Sequence, residues 1–167
     1  CQHGVYEGSA RLELGEVTDK LSDASLTLAE VFRDRGYRTA AFVRNAQLRR
    51  GNGFEQGFEV YRDEAGDARS IRGLALDWLD DRDGGEPFFL YLAYNAMLPP
   101  YSPPGREQDP DSFDRWINGS RADYVAAIEH LDKSVGRVLD ALDRQGLAED
   151  TLVLLTYDHG GGELATK

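Results

Sequence analysis

Three helical patterns alternate along the chain with three apolar runs, and this alternation restricts the fold more than any other feature of the sequence. The helical patterns repeat apolar residues every three or four positions, whereas the apolar runs are short and continuous. Alternating helices and strands favour right-handed crossovers, so we predict an α/β fold with a mainly parallel sheet and helices on both faces. The predicted helices cover residues 27–36, 68–81 and 122–145, and the predicted strands cover residues 38–43, 87–94 and 151–157.

The first helix has the clearest boundaries of the three. Thr27 and Glu30 have the spacing of a capping box, in which each side chain satisfies a backbone N–H at the helix start. Gly36 is expected to end the helix in a left-handed conformation. Leu28, Val31 and Phe32 fall on one side of the helix, so we expect them to face the core.

Two of the predicted strands are expected to lie side by side. Residues 87–94 form a long apolar run, and such continuous hydrophobicity is typical of a central parallel strand that is covered on both faces. Residues 151–157 are also apolar and β-branched, which predicts a buried strand next to the 87–94 strand. Both strands would then end at the same edge of the sheet.

Asp158 and His159 follow the last predicted strand and precede three glycines, at which the backbone can turn away sharply. Ligands commonly bind at the carboxyl ends of strands in an open parallel sheet, so this carboxylate and imidazole are candidate metal ligands. The alternative interpretation is that Asp158 caps the turn and His159 is solvated.

Three arginines follow the first predicted strand and could hold an anion. Arg44, Arg49 and Arg50 lie in a loop rich in Gly, Asn and Arg, and a guanidinium can bind an oxyanion through paired, charge-assisted hydrogen bonds. Arg44 comes directly after the strand, which makes it our candidate substrate-binding residue. The alternative is that all three arginines are solvated surface residues.

The composition excludes several classes of function. The chain has 167 residues and a formal net charge of −11, which argues against binding to a nucleic-acid backbone. No run approaches the roughly 20 apolar residues of a membrane span. The single cysteine, Cys1, excludes an internal disulfide and a cysteine-based zinc cluster, and it leaves a periplasmic, secreted or cytoplasmic location open. We expect one domain over residues 1–167, incomplete and cut from a longer chain.

Several segments of the chain, taken together and in order, resemble the sulfatase family of the alkaline-phosphatase-like superfamily. The resemblance extends from about His3 to Gly160, and it predicts an incomplete sulfatase-like fold. Its Gly53–Glu59 segment is similar to the family's Gly-Phe-Asp-x-Gly-Phe-Asp loop. The other matching segments are residues 27–31 with 36–42, residues 87–92, residues 100–104, and residues 124–157 followed by Asp158-His159-Gly160.

The resemblance implies a divalent cation, usually calcium. In such sulfatases the metal is held by two early Asp residues and by an Asp-Asn or Asp-His pair, which Asp158 and His159 match. The family's nucleophile is a Cys or Ser in a Cys/Ser-x-Pro-x-Arg motif that is converted to formylglycine. That motif should lie before residue 1, and Cys1-Gln2-His3-Gly4 does not match it, so formylglycine is not expected in this chain.

The chain also departs from the family in its substrate loop. Leu98 stands where relatives commonly have a His that donates a proton or binds sulfate, and Ala93 and Ala96 stand where they often have His and Asp. A leucine can do neither task. We therefore expect this chain to be part of a metal-dependent hydrolase of sulfate esters. We expect the 167 residues by themselves to be inactive.

Two alternative functions stay open. One is a degenerate domain that binds a partner or a sulfated glycan without turnover, and the other is phosphodiester or phosphonate hydrolysis on the same scaffold. The expected partner is a sulfated small molecule or glycan, and open sheet edges favour a homo-oligomer.

Overall fold

The computed structural model describes residues 20–64, 67–82, 84–95 and 121–157. Asp158, His159, Ala96 and Leu98 lie outside these described residues. The helices are α1 (Leu28–Arg33), α2 (Ala68–Asp80) and α3 (Arg121–Arg144), and the strands are β1 (Arg38–Val43), β2 (Val60–Arg62) and β3 (Phe88–Ala93). Short 3-10 helices cover Ala46–Leu48 and Ala148–Asp150.

The described strands form a parallel sheet in the order β2-β1-β3. β1 pairs with β3 from Arg38 opposite Phe88 to Val43 opposite Ala93. The parallel α/β prediction is confirmed, but the predicted position of β3 is wrong for the described sheet. The central strand is β1, whose small residues are covered on both faces, whereas Tyr91 in β3 is 43% exposed. The continuous apolar run at residues 87–94 therefore did not predict complete burial of β3.

Helices cover both faces of this sheet, as predicted. The ring of Phe32 in α1 stacks on Phe89 with centroids 4.8 Å apart, and the ring of Trp78 in α2 meets the edge of Phe88 at 6.0 Å. Because consecutive residues of a strand point to opposite faces, α1 and the end of α2 lie on opposite sides of β3.

The capping box at the start of α1 is confirmed. The Thr27 N–H donates to Glu30 Oε2 at 2.8 Å, and the Glu30 N–H donates to Thr27 Oγ1 at 3.1 Å. Gly36 has a φ of 80° and ends the turn after α1. The predicted inner face is wrong at Leu28, which is 59% exposed, because α1 instead buries Ala29.

The chain divides into two compact units. The first comprises residues 1–66 and 77–93, and the second comprises residues 67–76 and 94–167, so α2 begins in one unit and ends in the other. The first unit contains a core of Ala41, Val43 and Tyr61. In the second unit, α3 buries small and branched side chains along one side, and the turn that follows it contains Gly146, whose φ is 69°.

The predicted strand at residues 151–157 is not a strand of the sheet that the described residues form. Leu152 is 84% exposed and Leu154 is 80% exposed, and Val153, Leu155 and Tyr157 are also exposed. Within the described residues, no backbone hydrogen bond joins residues 152–157 to another element. An apolar, β-branched sequence makes burial favourable, but a strand also requires a neighbour for its N–H and C=O groups.

Candidate active site

Among the described residues, the candidate active site is the carboxyl edge of the sheet, where Arg44 lies. β1 and β3 end level with each other at Val43 and Ala93. The Arg44 N–H then donates to the Ala93 carbonyl at 3.1 Å, which continues the pairing of the two strands by one further bond. Arg44 is therefore fixed at this edge through its backbone, while its side chain is exposed.

The three candidate arginines have different surroundings. The Arg50 guanidinium donates to the Tyr61 carbonyl at 2.6 Å and lies 5.6 Å from the centre of the Tyr61 ring. These contacts hold the loop on β2. Arg44 and Arg49 are exposed, and neither side chain forms a hydrogen bond or ion pair with another described residue. Among the described residues, the Arg44 and Arg49 guanidinium groups thus have no polar partner, whereas Arg50 holds its loop on β2.

Tyr61 is a structural residue of this loop. Its hydroxyl donates to the Leu48 carbonyl at 2.6 Å, and its ring is buried in the core of the first unit. Burial raises the pKa of the Tyr61 phenol well above its ordinary value, and the charges of Glu55 and Asp63 raise it further. The phenol therefore stays protonated at neutral pH and is unsuited to act as a base.

The segment Gly53–Glu59, here called the Gly-Phe loop, fixes the position of the chain between β1 and β2. Gly57 has a φ of 84°, and a Cβ atom added there would lie 2.6 Å from the carbonyl carbon of Ala29 and would also overlap the Glu30 nitrogen. Gly53 has a φ of 86°, and its added Cβ would lie 2.5 Å from the Leu21 oxygen. Both glycines are required because neighbouring backbone approaches them closely.

Hydrogen bonds attach the Gly-Phe loop to β1 and α1. The buried Thr39 hydroxyl donates to the Gly57 carbonyl at 2.8 Å and accepts from the Glu59 N–H at 3.0 Å. The Thr27 hydroxyl lies 3.1 Å from the Gln56 carbonyl. The Phe58 ring stacks on Phe89 at 5.7 Å. The Gly-Phe loop thus joins the start of α1 to β1 and β3.

The second unit contains a separate polar cluster. Asp67 caps α2 by accepting hydrogen bonds from the Ser70 N–H and hydroxyl, both at 2.9 Å. Partial burial alone would raise the pKa of Asp67, but the two Ser70 bonds and the nearby His130 outweigh it, and the net pKa is lowered. His130 Nε2 lies 3.9 Å from Asp67 Oδ2, which is too far for a hydrogen bond. These contacts stabilise the start of α2.

The predicted metal ligands have no described surroundings. The ranges that the structure describes contain no group of three or more His, Cys, Asp or Glu side chains that could hold a metal ion. The described helices, including the 24-residue α3, are too polar or too short to cross a membrane.

One exposed arginine at the sheet edge was not identified from the sequence. Arg62 ends β2, a strand of three residues that the sequence analysis assigned to no element. Three residues after the Gly-Phe loop are too few to establish a period of two. The usable signal was the position of Val60 and Tyr61 immediately after a glycine-rich turn.

The bare Ser-x-Pro-x-Arg pattern occurs once in the chain, at Ser102-Pro103-Pro104-Gly105-Arg106. The family's nucleophile motif is expected before residue 1, so this occurrence does not have the expected position. The pattern follows β3, in the segment that resembles the family's substrate loop, rather than preceding α1. It lies outside the described residues.

Comparison with protein families gives a match to the Sulfatase model over residues 3–164. This chain belongs to the sulfatase family. The match includes Arg44, the Gly-Phe loop and the Asp158-His159 pair. The sulfatase family typically uses a divalent cation and acts on sulfated substrates.

Individual sulfatases match parts of the chain. An uncharacterized sulfatase of Escherichia coli K12, YdeN, is 37% identical over 78 residues, which cover 45% of this chain and 13% of that protein. Mouse arylsulfatase J is 34% identical over 83 residues, covering 50% of this chain and 14% of that protein. The matched part of the chain thus spans about a seventh of the length of these curated relatives.

A solved structure from Vibrio parahaemolyticus, described as a protein in the alkaline phosphatase superfamily, is similar to this sulfatase-family chain with a TM-score of 0.49 and 19% identity. The similarity covers 71% of this chain and 32% of that structure.

Proposed function

We propose that this chain is part of a metal-dependent hydrolase of sulfate esters. The observation that carries the proposal is the sulfatase match over residues 3–164, which includes both candidate metal ligands and Arg44. The parallel sheet supports it, because Arg44 lies at the carboxyl edge, where ligands bind in such folds. The expected substrate is a sulfated small molecule or glycan.

Arg44 would bind and orient the sulfate group. Its backbone is tied to the end of β3, and its guanidinium is exposed without a competing ion pair among the described residues. A guanidinium can donate two parallel hydrogen bonds to an oxyanion. Local contacts of this kind are needed because the net charge of −11 repels an anionic substrate at long range.

Asp158 and His159 would provide part of a calcium site. Calcium takes about six to eight oxygen ligands, so the carboxylate suits it better than the imidazole, and two residues cannot complete its coordination. Further donors are therefore required. When bound, the cation would offset negative charge on the sulfate oxygens.

We propose further that this chain does not turn over substrate. Leu98, Ala93 and Ala96 remove side chains that could transfer a proton or bind sulfate, and Ala93 lies at the end of β3, beside Arg44. The same three residues favour the alternative of a binding domain without catalysis. A phosphodiester or phosphonate substrate is a further alternative on this scaffold.

Calcium titration by isothermal calorimetry tests the metal site. The full chain should bind calcium specifically, and Asp158→Ala should abolish the binding heat. Asp132→Ala is the matched control, because it removes an exposed carboxylate of α3 and should leave calcium binding unchanged. Absence of binding by the folded chain, or equal loss in both variants, would contradict the proposed site.

A turnover assay separates the alternatives. The chain should release no nitrophenol from 4-nitrophenyl sulfate or from bis(4-nitrophenyl) phosphate, with or without calcium. Hydrolysis of the sulfate would contradict the proposed inactivity and support the sulfatase chemistry. Hydrolysis of the phosphate diester alone would support the alternative substrate class.

A further inference from the structure

Two arginines lie at the carboxyl edge of the first unit, at the end of β2 and just beyond the end of β1. Arg62 at the end of β2 pairs in register with Phe42 of β1, and Arg44 follows Phe42 by two residues. Alternate residues of a strand share a face, and paired residues of adjacent strands do so as well. The strand spacing and the two-residue offset put the two Cα atoms about 8 Å apart.

Neither guanidinium is engaged by the rest of the described chain. Arg44 and Arg62 are exposed, and no hydrogen bond or ion pair to another described residue involves either side chain. By contrast, Arg38 of the same sheet donates to Glu59 at 3.1 Å and to Glu86 at 3.4 Å. Two arginines without an ion pair among the described residues thus lie at one sheet edge, in a chain with 30 acidic residues.

The nearest carboxylate in the sequence is directed elsewhere. Asp63 follows Arg62 immediately, and its Oδ2 accepts a hydrogen bond from the Arg50 N–H at 2.7 Å. That contact holds the Asp63 carboxylate against the loop that carries Arg50. The positive charge of the arginine pair is thus left uncompensated by this neighbour.

We propose that Arg44 and Arg62 together bind one tetrahedral oxyanion, with Arg62 as a second basic arm of the sulfate site. The inference rests on the proposed role of Arg44 and extends it to a residue on another strand. Two guanidinium groups offer up to four convergent N–H donors, which match the several oxygens of a sulfate or phosphate group. A single arginine could contact only one side of such an anion.

Titration with inorganic sulfate tests this pair. Binding to the full chain is measured by calorimetry at constant ionic strength, with potassium chloride as the balancing salt. Arg62→Gln and Arg44→Gln should each raise the dissociation constant about tenfold, since each removes a charge-assisted contact. Arg69→Gln is the matched control, because Arg69 is an exposed arginine of α2, and its dissociation constant should change less than about twofold.

The results distinguish this inference from the proposed function. If only Arg44→Gln weakens sulfate binding, the role of Arg62 is wrong and the role of Arg44 survives. If neither variant weakens it, or if the native chain binds no sulfate, both are wrong. Equal weakening by Arg69→Gln would show that binding depends on overall charge and would overturn the arginine-pair site.

A parallel titration with inorganic phosphate separates the two sources of a tetrahedral oxyanion. Tighter binding of sulfate would support the pair as part of a sulfate-ester site. Tighter binding of phosphate, with the same loss in both variants, would support the pair but contradict sulfate esters as the substrate class. Circular dichroism of each variant should match the native chain, because both side chains are exposed.

Discussion

The Gly-Phe loop and the segment at residues 151–157 differ in how many contacts their side chains and backbone groups make with the rest of the described structure. The loop has little regular secondary structure, yet its glycines, hydroxyl contacts and aromatic ring all meet specific partners. The 151–157 segment has the stronger strand pattern, yet its apolar side chains are exposed. In this chain, the contacts of individual residues therefore indicate the local structure better than hydrophobicity does.

Gly57→Ala should cause the largest loss of stability. The new methyl would overlap the backbone of Ala29 and Glu30, which cannot rotate away, and the residue would also be strained at a φ of 84°. We expect a loss of more than about 3 kcal/mol in the free energy of unfolding, measured by urea denaturation.

Gly36→Ala is the control for this comparison. Gly36 has a similar φ of 80°, but no atom lies within 4 Å of its added Cβ. It should lose only about 1–2 kcal/mol, from the left-handed conformation alone. Equal losses in the two variants would show that the close approach to α1 contributes nothing.

Thr39→Val should have the next largest effect. The change keeps the side-chain shape but removes the hydroxyl that donates to Gly57 and accepts from Glu59. The buried Gly57 carbonyl would lose this donor, at a cost of about 1–3 kcal/mol in the same denaturation experiment. Thr39→Ser keeps the hydroxyl, and if it were the more destabilising of the two, packing rather than hydrogen bonding would hold the loop.

Thr27→Ala should be moderately destabilising. It removes the N-cap of α1 together with the contact to Gln56. The expected loss is about 1 kcal/mol, and Thr27→Ser should recover most of it in thermal unfolding. Failure of Ser to recover stability would mean that the hydroxyl is not the stabilising group.

Leu154→Ala should have the smallest effect. Leu154 is 80% exposed, so truncation should change the free energy of unfolding by less than about 0.5 kcal/mol. Leu79→Ala, at a leucine that is only 2% exposed, should cost about 2–5 kcal/mol in the same experiment. A similar loss at Leu154 would mean that residues 151–157 are buried in solution.

Local chemistry in the sequence predicted much of the fold. Thr27 with Glu30 and Gly36 were sufficient to place the boundaries of the first helix, because caps and left-handed turns depend on residues close in sequence. β2 could not be predicted, since three residues carry no period. The edge position of β3 in the described sheet and the exposure of residues 151–157 depend on which strands pair, and this is a long-range property.

The candidate site could be predicted only in part. Arg44 was identified because it directly follows a predicted strand. Arg50 was grouped with it, although the structure uses Arg50 to hold Tyr61, a contact that depends on the fold of the whole loop. Arg62 emerged only when the register of β2 against β1 was known. The metal-binding role of Asp158 and His159 stays a prediction.

Hydrogen exchange of the full chain, followed by mass spectrometry with peptide resolution, tests the contrast between the two regions most directly. The amides of Ala40–Val43 are buried between β2 and β3 and should exchange slowly, whereas those of residues 152–157 should exchange within seconds. Equal, strong protection of residues 152–157 would contradict the account, because it would show that this segment is a paired strand.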